Sequence, residues 1–510
     1  MSFNLSAILR EAATRTPEHT AVISDSESLS YRDLDQRSDA VASELVRLGV
    51  EPGQAVGVQL PNVPEFVATF YGILKAGAVA IPMNILNKAP EIAYFLQHSR
   101  ANVLVTVAGS AGEAAKAAEQ AGAEHLFVLG ALESDLPHGA RDFAALTHAS
   151  INPAPFVTRD PGDTAVLLYT SGTTGKPKGV ELTHFQLYMN ASAHREAFDM
   201  GSDSVVIAVM PLFHALGLSG LLNATVLAGG SVVLLPKFDA TAVFEAIHTH
   251  GATILHGVPT MYHAMQNHVD RDTFDTASLR FCGSAGAAIP AELLDAFEAS
   301  FGVSILEMYG LTESGPLATY NRPDHRKPYS VGTPIWGTEV QIWDKDNNEL
   351  PRGREHVGEI VIRGHNTMGG YLDNDAATAE AFAGGWLHSG DLGYCDEDGF
   401  FFIVDRKKEL IIRGGYNVYP REVEEVLYQH PAIFECAVLG LPDERLGEEV
   451  TAVVALKVGQ SATPEEIVGF VKERVAAYKY PRTVTVMADL PKSATGKILK
   501  RELLELVASH

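Results

Sequence analysis

Strand-length apolar runs alternate with amphipathic helical patterns along most of this 510-residue chain, and that rhythm restricts it to layered α/β architectures. "AVGVQLP" is followed by "VPEFVATFYGILKAG", then "AVAIPMN", a helical pattern at "APEIAYFLQHS", and "NVLVTV". Strands this apolar on both faces predict a largely parallel sheet buried between helices. The pattern recurs at "GATILHGVP" and "LRFCGSAG". "IPAELLDAFEASFG" reads as a helix with Pro290 in its first turn and Gly302 just past its end, and "VSILEMYG" as the next strand.

After about residue 330 the texture changes. "VQIWDKDNNELP", "HVGEIVIRG" and "GFFFIVDR" predict short strands joined by turns, a β-rich subdomain. Beyond "DRKK" the chain reads as a compact α+β unit, with helices at "YPREVEEVLYQHP" and across "TPEEIVGFVKERVAAY". The expected organisation is a large N-terminal α/β domain over 1–405, a small C-terminal α+β domain over 406–510, and a junction at 405–408.

Residues 204–236 hold no Asp, Glu, Lys or Arg, a length that could cross a bilayer. Pro211, His214, Asn223 and Gly229-Gly230 break it, so the stretch reads as a buried strand, a loop, a short helix and a strand rather than a transmembrane segment. The formal net charge of −24 opposes nucleic acid as a partner, because the long-range field is repulsive. Cys282, Cys395 and Cys436 are scattered and odd in number, which implies neither a disulfide framework nor a zinc site and fits a reducing cytoplasm. The N-terminus lacks the marks of a secretory signal.

Residues 169–179 read "YTSGTTGKPKG". Glycines let backbone amides approach an anion, hydroxyls add donors and lysines supply charge, so this is phosphate-cradle chemistry. A Walker loop needs Ser or Thr directly after its lysine, and here Lys176 is followed by Pro177. Four further segments accompany it: "EMYGLTES" at 307–314, "GGWLHSGDLG" at 384–393, "FIVDRKKELIIRGGYNVYP" at 402–420, and "PKSATGKILKREL" at 491–503.

These five segments, in this order and spacing, resemble the adenylate-forming superfamily of acyl-CoA and aryl-CoA ligases, firefly-type luciferases and peptide-synthetase adenylation domains. The resemblance covers nearly the whole chain and is greatest to fatty-acyl-CoA ligases. It implies a two-step reaction: a carboxylate attacks the α-phosphate of ATP to give an acyl-adenylate and pyrophosphate, then the thiol of coenzyme A displaces AMP. It also implies that the small C-terminal domain is mobile and rotates between the steps.

The resemblance assigns roles residue by residue. Thr170, Ser171, Gly172, Thr173, Thr174, Gly175 and Lys178 form the phosphate loop, with Thr170 and Glu313 as ligands of Mg²⁺. Gly283, Ser284, Ala285 and Gly286 lie along the adenine, with Tyr309 on its other face and Thr312 on phosphate, and Glu307, Met308 and Gly310 are further cofactor-binding positions. Asp391 and Arg406 hold the ribose, Lys408 is the hinge, and Gly414 and Gly415 face coenzyme A. Lys497 bridges the substrate carboxylate and the α-phosphate, offsetting the repulsion of two anions as they meet. Catalytic roles are expected of Lys497, Thr312 and His214, the last beside the acyl site.

The expected acyl wall is small and apolar: His214, Leu218, Gly257, Val258, Tyr262, Ala285, Met308, Gly310, Leu311 and Leu317. The region opening "PLFH" has no Asp to hold an amino group, which disfavours an amino acid. Malonate-activating relatives carry arginines where Ala264 and Met308 stand, so a second carboxylate would be buried unpaired here. The small-molecule substrate is therefore expected to be a medium- or long-chain fatty acid, with a cinnamate-like aryl acid as the alternative, and ATP, Mg²⁺ and coenzyme A as cofactors and co-substrate. Luciferase-like oxidation of the adenylate shares every ATP motif. Peripheral membrane contact, which the resemblance associates with long-chain members, is opposed by the acidic balance.

Overall fold

The structure is a computed structural model that describes residues 3–148, 154–170, 176–443, 445–493 and 496–508. It is a mixed α/β protein with a large N-terminal and a small C-terminal domain, and its two largest sheets have nine and eight strands. In the nine-stranded sheet, Ile305–Tyr309, Phe281–Ser284, Ile254–Gly257, Val205–Ala208, Ser231–Leu234 and Thr20–Ile23 lie side by side and parallel. In the eight-stranded sheet, Thr164–Thr170 pairs parallel with Val79–Pro82 and antiparallel with Lys178–Thr183. The two sheets share one continuous apolar core, as their near-continuous Val, Ile and Leu content demands.

Helices cover both faces of the nine-stranded sheet. On one face lies His184–Ala197, started by a capping box in which Thr183 accepts from the Gln186 amide. On the other lie Pro259–Gln266 and Ala291–Phe301, the latter ended by Gly302 at φ +64°. The uncharged stretch folds as strand Val205–Ala208, a loop, a wide π-wound segment Leu216–Asn223, helix Ala224–Ala228 and strand Ser231–Leu234. The expected short helix is thus present, but most of it is wound wider than an α-helix. Among the described residues no helix is long and apolar enough to cross a membrane.

The β-rich subdomain is a four-stranded antiparallel sheet that includes Leu387–Cys395 and Phe401–Arg406. After Arg406 the chain turns and enters a separate five-stranded sheet at Ile411–Arg413. That sheet has its own core, where Ile411, Val423, Leu427, Val454, Ile467 and Val471 pack together. The helix expected across "TPEEIVGFVKERVAAY" stops at Lys472. Beyond it Val475, Tyr478 and Tyr480 turn back against this core, and Tyr478 stacks on Tyr416 at 4.8 Å. Burying those rings outweighs continuing an exposed helix.

Candidate active site

Parallel strands leave their carboxyl ends open, and ligands of open α/β sheets bind there. Here the ends are Gly257-Val258, Ala285-Gly286 and Tyr309-Gly310. A loop of the C-terminal domain reaches them. The Gly496 carbonyl accepts a hydrogen bond from Thr260 Oγ at 3.2 Å. Gly496 adopts φ +80°, and a Cβ there would fall 2.8 Å from that same oxygen, so the approach needs glycine.

Lys497 follows immediately. Its Cε lies 3.8 Å from where a side chain on Gly286 would begin. Ser493 braces the loop: its N–H donates to the Lys497 carbonyl at 2.8 Å and its hydroxyl accepts from the Lys497 N–H at 3.2 Å. Lys500, one turn on, pairs with Glu424 at 2.8 Å and Glu409 at 3.2 Å, tying the loop to the turn after Arg406 and to the helix Pro420–Tyr428. Burial lowers the pKa of Lys497, Arg406 lowers it further, and Asp391 works against both. His214 shares this surrounding: burial, with Lys497 adding to it, holds the imidazole down at about 4 and therefore neutral.

Asp391 and Arg406 face each other across neighbouring strands. Arg406 Nε lies 3.1 Å from Asp391 Oδ1, and the Tyr309 hydroxyl donates to Oδ2 at 2.8 Å. Each carboxylate oxygen has two lone pairs, so Asp391 retains acceptor capacity on both. Tyr309, Asp391, Arg406, His214 and Lys497 are thus gathered at one spot from five segments of the chain.

A second group lies at the end of the eight-stranded sheet. Thr170 ends its strand opposite Lys178. Lys178 Nζ sits 4.7 Å from the centre of the Tyr371 ring, and the Tyr371 hydroxyl donates to Glu313 Oε1 at 3.0 Å. Thr312 and Glu313 form a short turn just after the Ile305–Tyr309 strand. A carboxylate and a strand-end hydroxyl are hard oxygen donors of the kind Mg²⁺ takes. Among the described residues there is no cluster of three His, Cys, Asp or Glu side chains able to hold a metal by itself. Ser171, Gly172, Thr173, Thr174 and Gly175 lie outside the described residues.

The acyl-wall expectations divide by strand alternation. Gly283 and Met308 share the sheet face that meets His184–Ala197, where a Cβ on Gly283 would fall 3.0 Å from the Met308 methyl. Leu317 is buried, with its N–H and carbonyl held by the Asn190 side chain, and Leu218 is buried in the π-wound segment. Val258 is buried beside Gly286 and Gly496, whereas Ala285 and Leu311 are half-buried.

Tyr262 is not on that face. Its ring is fully buried edge-on against Phe297, 5.0 Å between centres, and its hydroxyl donates to the Gly283 carbonyl at 2.6 Å. It braces the strand from behind, because the register of its helix turns it toward Ala291–Phe301. Gly257 faces the Tyr262 ring on the same side. Ser284 and Glu307 also point to this rear face, and burial pushes Glu307 up to about 7 while Arg421 and Arg326 pull it down. Lys408 is exposed in the turn after Arg406. Gly414 and Gly415, at φ +57° and +84°, form a tight turn against Leu446.

Thr260, Tyr371 and Asn190 had no counterpart in the sequence reading. Thr260 sits in "VPTMYHAM" three residues past a strand end, which is a signal; Tyr371 and Asn190 carry none outside the fold.

The strand ends of the open nine-stranded α/β sheet thus receive a lysine from a second domain. Residues 9–372 match the AMP-binding enzyme family and residues 422–497 its C-terminal domain, and the chain belongs to this family. It is 36% identical to a long-chain-fatty-acid–CoA ligase of Bacillus subtilis, over 98% of this chain and 94% of that protein. It is also 36% identical to a feruloyl-CoA synthase of an Amycolatopsis species, over 96% of each. Among solved structures it resembles the anthranilate CoA ligase AuaEII in complex with anthranoyl-AMP, with a TM-score of 0.92, 31% identity and coverage of 100% of this chain and 98% of that one. The chain is an adenylate-forming CoA ligase by family, and the acids named for these relatives differ.

Proposed function

We propose that the acid is an uncharged-bodied monocarboxylate, a medium- or long-chain fatty acid in the first instance. ATP activates it as acyl-AMP, and coenzyme A then takes the acyl group. The observation that carries this reading is the placement of Lys497 among Gly286, Asp391, Arg406 and neutral His214. A carboxylate oxygen attacks the α-phosphorus, the bond to the bridging oxygen breaks, and pyrophosphate leaves. Lys497 sits between the two anions as charge develops, where a positioned cation offsets their repulsion. Asp391 and Arg406 orient the ribose. Lys178 neutralises the departing pyrophosphate; Glu313 and Thr170 would hold Mg²⁺, which would supply further charge neutralisation there. In the second step the thiolate sulfur attacks the acyl carbon and AMP leaves.

Support for an apolar acyl body comes from Leu218, Met308 and Leu317, all buried on the side of the His184–Ala197 helix. An aryl acid is the second reading, favoured by the Met308 methyl packing closely against Gly283 on that face. The division at 405–408 and its hinge are part of the same proposal, supported by the change of sheet between Arg406 and Ile411. Exchange of radiolabelled pyrophosphate into ATP over a panel of carboxylic acids, without coenzyme A, is the test. Exchange with monocarboxylates but not dicarboxylates or amino acids is expected, and absence of exchange with every acid would sink the reading.

A further inference from the structure

Tyr371 joins two parts of the phosphate end that come from different sheets. Gly370–Tyr371 is the edge strand of the eight-stranded sheet and pairs antiparallel with Lys178–Thr183, Tyr371 lying opposite Val180. Lys178 is two residues from Val180, so its side chain and that of Tyr371 share one face of the pair. The Lys178 ammonium accordingly sits 4.7 Å from the centre of the Tyr371 ring, within range of cation–π attraction. The hydroxyl end of the same ring reaches the nine-stranded sheet. It meets Glu313 Oε1 at 3.0 Å, in the turn that follows Ile305–Tyr309. A carboxylate has no proton to give, so the hydroxyl is the donor.

The backbone that carries this ring is fixed on both sides. The Met368 N–H donates to the Glu313 carbonyl at 2.7 Å, the Gly369 N–H to the Glu181 carbonyl at 2.9 Å and the Leu372 N–H to the Gly179 carbonyl at 2.8 Å. The Tyr371 N–H donates to the Thr378 hydroxyl at 2.9 Å. Residues 368–372 are therefore a strap between the Lys178 strand and the Glu313 turn. A glutamate turns about several single bonds, and a bond to one of its oxygens selects among those orientations. The ring face takes the cation and the hydroxyl takes the carboxylate, so neither needs the other as its partner.

We propose that Tyr371 is a positioning residue for the metal–triphosphate end of the site: its hydroxyl sets the orientation of the Glu313 carboxylate toward Mg²⁺, and its ring seats Lys178 for the phosphates. This rests on the acid–CoA ligase reading and deepens it. The hydroxyl acts through Glu313, as the hydrogen-bonded partners of metal ligands do. The ring acts on Lys178 alone, so the two contributions separate by substitution.

The experiment measures ATP affinity without acid or coenzyme A, once in saturating Mg²⁺ and once in EDTA. Tyr371→Phe keeps the ring and deletes the hydroxyl. It should bind ATP as the native protein does in EDTA, and about 10-fold or more weakly in Mg²⁺. Tyr371→Leu removes the ring as well and should also weaken binding in EDTA, by about two- to five-fold. Glu313→Gln should lose the benefit of Mg²⁺, and adding Tyr371→Phe to it should cost nothing further, because the hydroxyl acts through that carboxylate. In pyrophosphate exchange, KM for MgATP should rise in Tyr371→Phe while KM for the acid holds. Native Mg²⁺ dependence in Tyr371→Phe, equal loss with and without Mg²⁺, or an additive loss on top of Glu313→Gln would overturn this proposal and leave the ligase reading intact. A native protein that binds ATP under neither condition would overturn both.

Discussion

Lys497 shows how a residue's role depends on what delivers it. In sequence it is one of several lysines near the C-terminus, and only its small-residue loop marks it out. In the fold, Gly496 docks on Thr260 and places the ammonium beside Gly286. If its task is to offset repulsion in the first step, Lys497→Ala should abolish pyrophosphate exchange yet largely spare thioester formation from supplied acyl-AMP. Equal loss of both steps would contradict the role. The pairing of Asp391 with Arg406 follows from motifs readable in the chain. The bond from Tyr309 to Asp391 does not, because it joins residues that the sequence separates by 82 positions.

At the scale of elements, the strands and helices were legible wherever apolar periodicity was strong. Thr164–Thr170, His184–Ala197 and Ala291–Phe301 fall on "DTAVLLYT", "THFQLYMNASAHREAF" and "IPAELLDAFEASFG". The end of Pro464–Lys472 was misread, because helix propensity continues where tertiary burial of Val475 and Tyr478 takes over. The π-wound segment was also hidden, since its winding depends on a close backbone approach. A Cβ on Gly217 would fall 2.2 Å from the Pro211 carbonyl oxygen. Gly217→Ala should therefore destabilise the protein by about 1–3 kcal/mol, as overpacking against rigid backbone does. The midpoint of urea unfolding reads this directly, and an unchanged midpoint would show that the segment yields at no cost.

For the whole molecule, buried histidines couple stability to pH. His184, His194 and His214 are held at about 4 and His256 at about 3, chiefly by burial. A folded pKa below the unfolded value of about 6.5 means the unfolded chain binds more protons below that pH. Their stabilisation is complete above pH 6.5 and is lost as pH falls toward 4. Glu307 and Asp405, pushed up by burial to about 7 and about 6, act oppositely, but the histidines outnumber them. Stability should fall on acidification by about 1.4 kcal/mol per pH unit for each net proton. A thermal midpoint that stays level from pH 7 to pH 5 would contradict this.

The central claim concerns which phosphorus is attacked. If a carboxylate oxygen attacks the α-phosphorus and AMP leaves when the thioester forms, that oxygen departs with AMP. The protein, incubated with ATP, coenzyme A and an accepted acid labelled with heavy oxygen in its carboxylate, should release AMP carrying one labelled oxygen and unlabelled pyrophosphate. Label in pyrophosphate or inorganic phosphate, or AMP formed without label, would contradict the account.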